Sequence, residues 1–356
     1  MKNSMIDEKF IDKLISNNFK RGFLGGYFGT REASLFLKTP GFMELIGDSP
    51  FFDISAGTGQ FPYYLAKTGH QVFVNDICYY AGTILKCWTD PKVTGDSQDI
   101  KEWITEWARA VDPSNVKPVT GYLTRLNKDK YFSEDMSKYL DGLLTSLYPE
   151  PLIQFAVGNI LSTVFSFRGR NFCKTSQLKK LSNEVTPEDI YPKLLRSMMK
   201  ARRIREKIPK DIKSWSNIGD SSEALDKVCL PKDTVVYMDT AWPYNKNIPI
   251  PNPYSFFIEG ISSIISQQKI TAGRLWERET PEDQIINTVK LWMNKAFDKD
   301  AKYFIITTQD TNYPDPDKVF EEVSKDFNLV KLFKVDDYSN SANKKYYNYW
   351  GFFSKK

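Results

Sequence analysis

Short apolar runs alternate with amphipathic stretches near both ends of the chain. Phe51–Ile54 and the run that ends at Asp76 are predicted strands, and each is followed by a predicted helix. This order of strand and helix predicts a parallel sheet with right-handed crossovers. Strand patterns return at Thr234–Asp239 and at residues 302–309, and the runs LVKLFKV and YYNYWGFF predict an antiparallel pair at the sheet edge.

The middle of the chain has a different pattern, in which helical periodicity dominates. In Asp99–Val111 apolar side chains recur every three or four residues, which is typical of an amphipathic helix. Further helices are predicted at about 133–147, 151–167 and 187–207. We therefore predict an α/β protein whose mostly parallel sheet is split in sequence by a mainly helical insertion. The predicted parts are 1–94, 95–213 and 214–356.

Composition narrows the classes of chemistry that this chain can carry. His70 is the only histidine, and the four cysteines have no C-x-x-C spacing, so neither a zinc site nor a Ser-His-Asp triad is expected and no metal ligands are predicted. Aromatic residues make up 14% of the chain, and most of them are expected in the core, although aromatics also stack on flat ligands. The amino terminus does not resemble a signal peptide and no run suits a membrane span. We expect a cytoplasmic protein with reduced thiols.

Charge is concentrated in one segment. The whole chain carries a net charge of +5, whereas Lys193–Lys213 holds nine Lys or Arg against Glu206 and Asp211, a local excess of +7. Such a segment is either a solvated helical face or a surface that binds phosphates. The pattern alone slightly favours the solvated face.

The segment FFDISAGTGQF, residues 51–61, predicts a sharp turn after the first strand. Gly57 and Gly59 let the backbone approach a ligand closely, and the next helix would point its amino terminus at that ligand. A dinucleotide-binding turn would have a further glycine where this chain has Pro62, which weakens that interpretation. Asp53 suits a positively charged ligand better than a pyrophosphate.

Two further acids stand at positions where a nucleoside could bind. Asp76 ends the second strand, where it could accept hydrogen bonds from ribose hydroxyls or cap the next helix. Asp220, in SNIGDSSEALDKV, could accept from an adenine amine, but a helix cap is the favoured role on this pattern alone.

The segment DTAW, Asp239–Trp242, follows the strand VVYM. An acid and a neighbouring backbone carbonyl can accept both N–H bonds of an amine on a flat base, while an aromatic residue three positions later stacks on the ring. Drawing the hydrogens towards two acceptors localises the nitrogen lone pair. The amine can then attack a sulfonium methyl group directly.

Together these motifs resemble the DNA adenine methylase family, whose members use S-adenosylmethionine. The matching segments are Asp53–Gly59 for the family's D-P-F-x-G-x-G motif, Asp76 for its second-strand acid, Gly219–Leu225 for its G-D-x-x-x-x-L element and Asp239–Trp242 for its D-P-P-Y motif. The segment FKRGFLGGYFG, residues 19–29, is similar to the part that closes over the methionine end of the cofactor, and YFSEDMSKYLDGL resembles a segment of the family's insertion.

The resemblance implies a Rossmann-like methyltransferase fold, S-adenosyl-L-methionine as cofactor, and methylation of N6 of an adenine flipped out of double-stranded DNA. The implied cofactor-binding residues are Phe23, Asp53, Ser55, Gly57, Gly59, Asp76, Ile77 and Asp220. The implied catalytic residues are Asp239, Thr240, Ala241 and Trp242.

The resemblance also implies a DNA-reading role for the insertion, so phosphate binding becomes the favoured role of the basic segment. The implied DNA-contacting residues are Tyr244, Arg168, Arg170, Lys200, Arg202 and Arg203. Tyr244 could equally be a core residue. Arg168 and Arg170 could equally lie in a solvated loop. A restriction endonuclease or another defence-system protein is a possible partner.

Two departures from the family pattern weaken the match. Tyr27 replaces the lysine that follows the paired glycines, which leaves Lys20 or Arg21 to contact the cofactor carboxylate. Thr240 and Ala241 replace the prolines of D-P-P-Y, at a cost of roughly 0.4–1 kcal/mol each, or about tenfold in rate. Asp239 keeps a charge-assisted hydrogen bond to the target amine, which contributes roughly 1.5–3 kcal/mol. We therefore expect an active site that is less preorganised than the family pattern implies.

Three alternatives stay open at this point. Methylation of cytosine N4 would use the same hydrogen bonds to an exocyclic amine, although an aspartate at position 239 weakly favours adenine. RNA could replace DNA as the substrate. The chain could also be a silent methyltransferase-fold protein that binds DNA or a partner without transferring a methyl group.

Overall fold

The computed structural model describes residues 8–16, 36–127, 132–147, 150–164, 185–239, 242–243, 253–270, 279–339 and 344–356. The strands are β1 (Phe51–Asp53), β2 (Val72–Asp76), β3 (Ser214–Ile218), β4 (Val235–Met238), β5 (Tyr303–Gln309), β6 (Phe327–Ser339) and β7 (Lys344–Lys355). The helices are α1 (Glu8–Ser16), α2 (Phe42–Ile46), α3 (Gln60–Lys67), α4 (Tyr79–Thr89), α5 (Ile100–Ala110), α6 (Tyr122–Asn127), α7 (Glu134–Ser146), α8 (Pro151–Val164), α9 (Pro187–Arg205), α10 (Ser221–Lys227), α11 (Pro253–Ser266), α12 (Glu282–Phe297) and α13 (Pro316–Ser324).

The chain divides into two compact units, and each is built from separate stretches of sequence. The helical unit comprises Met1–Gly26, Cys78–Lys207 and Asn252–Ala272, and the sheet unit comprises Tyr27–Ile77, Ile208–Pro251 and Gly273–Lys356. The sequence predicts one sheet-containing part made of 1–94 and 214–356, interrupted by a helical insertion at 95–213. In the structure one compact unit contains most of the helix-rich stretches, and the other contains the strands.

The sheet unit contains a seven-stranded mixed sheet in the order β3-β2-β1-β4-β5-β7-β6. Strands β1 to β5 pair in parallel, whereas β7 pairs antiparallel with both β5 and β6. The predicted α/β class and its antiparallel edge are thus confirmed, and the architecture is consistent with a Rossmann-like methyltransferase fold. Strand β3 is not predicted from the sequence, because SWSNI has no apolar run and every residue of this outer strand is only partly buried.

Apolar side chains cover both faces of this sheet. On one face Phe52, Val236 and Phe304 pack in a cluster with residues of α10, α12 and α13, such as Leu225 and Trp292. The opposite face carries an aromatic cluster in which ring centroids lie 4.3–6.3 Å apart: Phe36, Phe42, Phe51, Phe61, Tyr237 and Trp350. The expectation that many aromatic residues belong to the core is confirmed for these side chains.

The helical unit is held by close helix contacts and by buried polar groups that find partners. At Gly158 of α8 a Cβ atom would lie 2.4 Å from the Tyr80 ring of α4, so only glycine allows this approach. The buried carboxylate of Asp141 accepts bonds from the backbone N–H groups of Gly121, Leu123 and Thr124 at 2.7–3.0 Å. These bonds fix the start of α6 against α7. Among the described residues no helix has the length and apolarity that crossing a membrane requires.

Candidate cofactor and substrate site at the carboxyl edge of the sheet

The order of the strands marks one edge of the sheet as a place for a ligand. From β1 the chain moves outward to β2 and β3, and it then returns to place β4 on the other side of β1. Such a switch of direction leaves a crevice outside the carboxyl ends of the two neighbouring strands. Asp53 ends β1 and Asp239 directly follows β4, so both acids lie at this crevice.

Strand register places a third acid beside them. Asp53 pairs with Val74 of β2 and with Tyr237 of β4, so Asp76 and Asp239 each stand two residues beyond the row of Asp53. At about 3.3 Å per residue and about 4.8 Å between strands, the three positions lie within about 10 Å of one another. The sheet therefore brings together three of the acids selected from the sequence.

The glycine turn after β1 has the backbone conformation predicted for it. Gly57 and Gly59 have φ values of 55° and 72°, in the left-handed region that favours glycine. The N–H of Gly57 donates to Oδ2 of Asp76 at 2.7 Å, and the N–H of Ala56 donates to the Asn75 carbonyl at 2.8 Å. The turn is thus bonded to the end of β2.

Asp53 is a buried acid in an unfavourable environment. Its side chain is only 3% exposed, and its Oδ1 accepts a bond from the N–H of Ser55 at 3.0 Å. Burial raises the pKa of Asp53 well above its usual range, and the negative charges of Asp239 and Asp76 raise it further, although the Ser55 bond opposes this. A positively charged ligand group at this edge would relieve the cost of ionising Asp53, which fits the prediction made from the sequence.

Asp76 and Ile77 provide a polar group next to an apolar surface. The side chain of Ile77 is 50% exposed, which is high for a large aliphatic residue. The interpretation of Asp76 as a helix cap is wrong, because α4 begins after Cys78 and the Asp76 carboxylate is bonded to the glycine turn. Hydrogen bonding by the acid to ribose, with a flat ring on Ile77, stays a prediction.

Asp220 caps a helix, as the pattern around it indicated. Its Oδ1 accepts bonds from the N–H groups of Ser222 at 2.7 Å and Glu223 at 3.2 Å, at the start of α10. The helix-cap interpretation is confirmed. Its implied contact with an adenine amine stays a prediction.

Asp239 is tied to the glycine turn through its backbone. Its N–H donates to Oγ of Ser55 at 3.0 Å, and its residue is partly exposed. Ser55 therefore links the end of β4 to the turn after β1. This bond uses the main chain of residue 239, so it does not depend on the identity of the side chain.

Trp242 has a different place from the one predicted. Its indole is 5% exposed within the core, and Nε1 donates to the Thr307 carbonyl at 2.6 Å. The N–H of Tyr313 also donates to the carbonyl of the neighbouring Pro243 at 2.7 Å. The prediction that Trp242 stacks on a target base is therefore corrected, because a buried indole offers a base no open face. Instead it anchors the segment after β4.

The prediction for the basic segment also needs a correction, because one of its arginines stabilises the fold instead of facing solvent. Arg202 is 3% exposed, and its Nη2 donates to the Gln98 carbonyl at 2.6 Å. Its Nε pairs with Glu206 at 3.0 Å, and its guanidinium lies 4.8 Å from the Trp103 ring centroid. The prediction that Arg202 contacts DNA is wrong, since the side chain is buried and its Nε and Nη2 atoms bond within the protein.

The neighbouring cations have mixed environments. Arg203 donates to the Ile15 carbonyl at 2.7 Å and pairs with Glu206 at 2.9 Å, but it stays partly exposed. Partial burial lowers the pKa of Lys200 because it disfavours the charged form. Contacts of these two residues with DNA stay predictions.

Three exposed cations belong to the basic segment predicted to bind phosphates but are not among the individual DNA contacts implied by the resemblance. Lys193, Arg196 and Lys207 are exposed, whereas Leu194, Leu195, Met198 and Met199 are buried with Arg202. The helical residues 193, 196, 200 and 203 recur at intervals of three and four, so a helical projection separates them from Arg202 and Arg205, and Lys207 follows the end of α9. Applying the period to charged residues as well as apolar ones would have found them.

Several predicted site residues lie outside the described residues. These are Phe23, Arg168, Arg170, Thr240, Ala241 and Tyr244. In the part of the chain that the structure describes, no group of three or more His, Cys, Asp or Glu side chains is arranged to hold a metal ion. A scan against protein-family models and a search of curated proteins find no match to this chain.

Proposed function

We propose that this protein is an S-adenosylmethionine-dependent methyltransferase that acts on N6 of adenine in DNA. The observation that carries the proposal is the meeting of Asp53, Asp76 and Asp239 at the switch point of a methyltransferase-like sheet, around a glycine turn in the left-handed conformation. Each of these features has a counterpart in the sequence motifs that resemble the DNA adenine methylases.

The residues at this edge suit the chemical groups of S-adenosylmethionine. Asp53 is buried and has a raised pKa, so an ammonium group would stabilise its ionised form. Asp76 can accept from ribose hydroxyls, and the exposed Ile77 beside it can cover one face of an adenine ring. When bound, the cofactor supplies a methyl group activated by its positive sulfur.

In the proposed reaction Asp239 holds the amine of the target base. Its carboxylate and the carbonyl of Thr240 accept the two N–H bonds, which keeps the nitrogen lone pair available for attack on the methyl carbon. Methyl transfer would break the carbon–sulfur bond as the carbon–nitrogen bond forms, releasing S-adenosylhomocysteine, and the surplus proton of the amine would pass to water. Ser55 fixes the backbone of Asp239 relative to the cofactor turn.

Double-stranded DNA is the proposed substrate, with the target base flipped out of the helix. Support comes from the exposed Lys193, Arg196 and Lys207, which present positive charge in a segment that otherwise serves packing. An associated restriction endonuclease or other defence-system protein is the proposed partner, and it rests on the resemblance alone.

One observation favours a second candidate function. The burial of Trp242, together with Thr240 and Ala241 in place of two prolines, leaves the segment after β4 without the stacking residue that the family pattern implies. A protein that binds the cofactor and DNA but transfers no methyl group is therefore the second candidate.

The test is incubation with S-adenosylmethionine labelled in its methyl group and duplex DNA of mixed sequence. N6-methyladenine among the digested nucleosides is the expected product, whereas N4-methylcytosine would indicate the cytosine alternative. A ribose-containing duplex is assayed in parallel, and preferential labelling of it would indicate an RNA substrate. Cofactor binding is measured on the same preparation. Intact cofactor binding without labelled nucleic acid would favour the silent protein, and failure to bind cofactor would overturn both candidates.

A further inference from the structure

Asn75 is a buried polar residue beside the acids of the candidate site, and no motif in the sequence assigns it a role. It stands one position before Asp76 in β2, and its side chain is fully buried. A buried side-chain amide must satisfy two N–H donors and one oxygen, or it destabilises the fold. The partners of Asn75 therefore indicate what the residue does.

Both N–H donors of Asn75 are directed to neighbouring loops. Nδ2 donates to the Ile54 carbonyl at 3.1 Å and to the Gly219 carbonyl at 3.0 Å. Its Oδ1 accepts from Nδ2 of Asn217 in β3 at 2.8 Å. The two carbonyls require donors, so the network itself fixes the orientation of the amide.

These bonds lie at the ends of the strand ladders. The ladder between β1 and β2 ends at Asp53 and Val74, and the ladder between β2 and β3 ends at Asp76 and Ile218. Beyond those ends one backbone bond joins β2 to each turn, from the N–H of Ala56 to the Asn75 carbonyl at 2.8 Å and from the N–H of Gly219 to the Asp76 carbonyl at 3.0 Å. The Asn75 side chain adds one further bond from β2 to each of these turns.

The two turns are those that carry the candidate cofactor residues. Ile54 lies between Asp53 and Ser55, and Gly219 directly precedes Asp220. A second donor, Oγ of Ser221, reaches the same Ile54 carbonyl at 2.9 Å. One carbonyl therefore joins the turn after β1 both to β2 and to the start of α10.

We propose that Asn75 is a positioning residue that sets the distance between the turn after β1 and the turn after β3, and thereby the shape of the cofactor site. Its effect on a ligand rests on the proposed function, whereas its effect on the turns does not. Asn75→Asp is nearly the same in shape but has no N–H donors, and it would direct an oxygen at two carbonyl oxygens. Asn75→Ser is a milder change that keeps one donor on a shorter side chain.

The first experiment follows amide hydrogen exchange of the chain without ligand. We expect Asn75→Asp to increase exchange by about tenfold or more in residues 54–60 and 219–224, because the Gly219 carbonyl loses its bond from Asn75, the Ile54 carbonyl keeps only the bond from Ser221, and the new carboxylate is directed at both carbonyl oxygens. Strands β5 and β7 should keep their exchange rates. Asn217→Ala is the matched control, since it removes the bond to Oδ1 and leaves both donors of Asn75 in place. Should Asn75→Asp fail to fold, Asn75→Ser provides the same comparison.

The second experiment measures binding of S-adenosylhomocysteine by calorimetry, and the KM for S-adenosylmethionine in the methylation assay. Asn75→Ser should weaken binding by about tenfold and raise this KM more than it lowers kcat, while Asn217→Ala stays within about threefold of the wild type. If the wild type binds no S-adenosylhomocysteine, the proposed function fails and the exchange result alone decides the role of Asn75. Uniform acceleration of exchange throughout the sheet, or none in either turn, would overturn the inference.

Discussion

Charged residues in two regions of this protein were selected from the sequence for similar reasons, and they have opposite environments. At the carboxyl edge of the sheet, Asp53 is buried beside two further acids, and burial together with the charges of Asp239 and Asp76 raises its pKa. On α9, Arg202 is buried and occupied by Gln98, Glu206 and Trp103. Burial and the neighbouring acids disfavour the ionised form of Asp53, whereas the arginine is paired with Glu206.

This difference shows what separates a candidate site from a structural cluster. Like charges held close together in a fold cost free energy, and a bound ligand is one way to offset that cost. A buried cation that bonds to a carbonyl, a carboxylate and an aromatic ring already has its partners within the protein. The sequence indicates where charges occur, but only the packing shows whether they are satisfied.

The largest effect is expected from Asp239→Ala at the acidic edge. Loss of a charge-assisted bond to the reacting amine should lower methyl transfer by about a hundredfold or more. Cofactor binding should hardly change, because Ser55 bonds to the backbone N–H of residue 239 and not to its side chain. Radiolabel transfer to duplex DNA and calorimetric titration of S-adenosylhomocysteine measure the two quantities.

Asp239→Asn and Asp211→Ala are the controls for this prediction. The asparagine keeps an acceptor oxygen without the charge and should retain part of the activity. Asp211 is an exposed acid in the basic segment, so Asp211→Ala should change neither methyl transfer nor cofactor binding. Equal loss of transfer and of cofactor binding in Asp239→Ala would mean that Asp239 binds the cofactor and that another acid holds the amine.

A large effect on stability, without one on catalysis, is expected from Arg202→Ala. The change removes a buried side chain that bonds to the Gln98 carbonyl and pairs with Glu206, and it should lower the free energy of unfolding by about 2–4 kcal/mol. Urea denaturation measures this quantity. The matched variant Arg196→Ala removes an exposed cation of the same helix and should unfold like the wild type.

For DNA binding we expect the larger effect from Arg196→Ala and the smaller one from Arg202→Ala. Arg196→Ala should reduce the slope of log affinity against log salt by about one, whereas Arg202→Ala should leave that slope unchanged at temperatures where it stays folded. A reduced slope for Arg202→Ala, with normal stability, would contradict the distinction between paired and exposed cations on α9.

A smaller effect, dependent on pH, is expected from Asp53→Asn. Because burial raises the folded-state pKa of Asp53, its protonated form contributes stability that is complete below the unfolded-state pKa and is lost as pH rises through the folded-state pKa. The asparagine variant should therefore match the wild type in acid and become more stable than it towards neutral pH, by about 1.4 kcal/mol for each unit of pKa shift.

Thermal unfolding of both proteins across pH measures this difference. The same variant should bind S-adenosylhomocysteine more weakly, because the ionised carboxylate would be its partner for the ammonium group. A variant that is less stable at neutral pH would mean that the Asp53 charge is already compensated within the fold.

Much of this fold was accessible from the sequence because its strong signals are local. The buried strands β1, β2, β4 and β5 have apolar runs, and the turn after β1 requires glycines at φ values that other residues avoid. Strand β3 was missed since an outer strand with partly buried residues has no such run. Local pattern is informative where burial is complete, and weak at the sheet edges.

The candidate site was predictable only in part, for a physical reason. Acids at the ends of strands could be placed, because parallel strands end at a shared edge. The role of Trp242 could not, since an indole three residues after an acid fits a stacking wall and a core anchor equally well. Asn75 was missed because its bonds join residues that lie far apart in sequence, Ile54 and Gly219.

The smallest effect is expected from restoring the prolines after Asp239. Thr240→Pro with Ala241→Pro should stiffen the segment between that acid and the anchored Trp242, and each proline contributes about 0.4–1 kcal/mol of preorganisation. If the parent protein is active, transfer should rise by up to about tenfold with an unchanged KM for the cofactor. The control pair Thr240→Ala and Ala241→Ser, which leaves the backbone free, should not change it. Activity that appears only in the proline variant would instead identify the parent as the silent protein, with its acidic edge retained for binding alone.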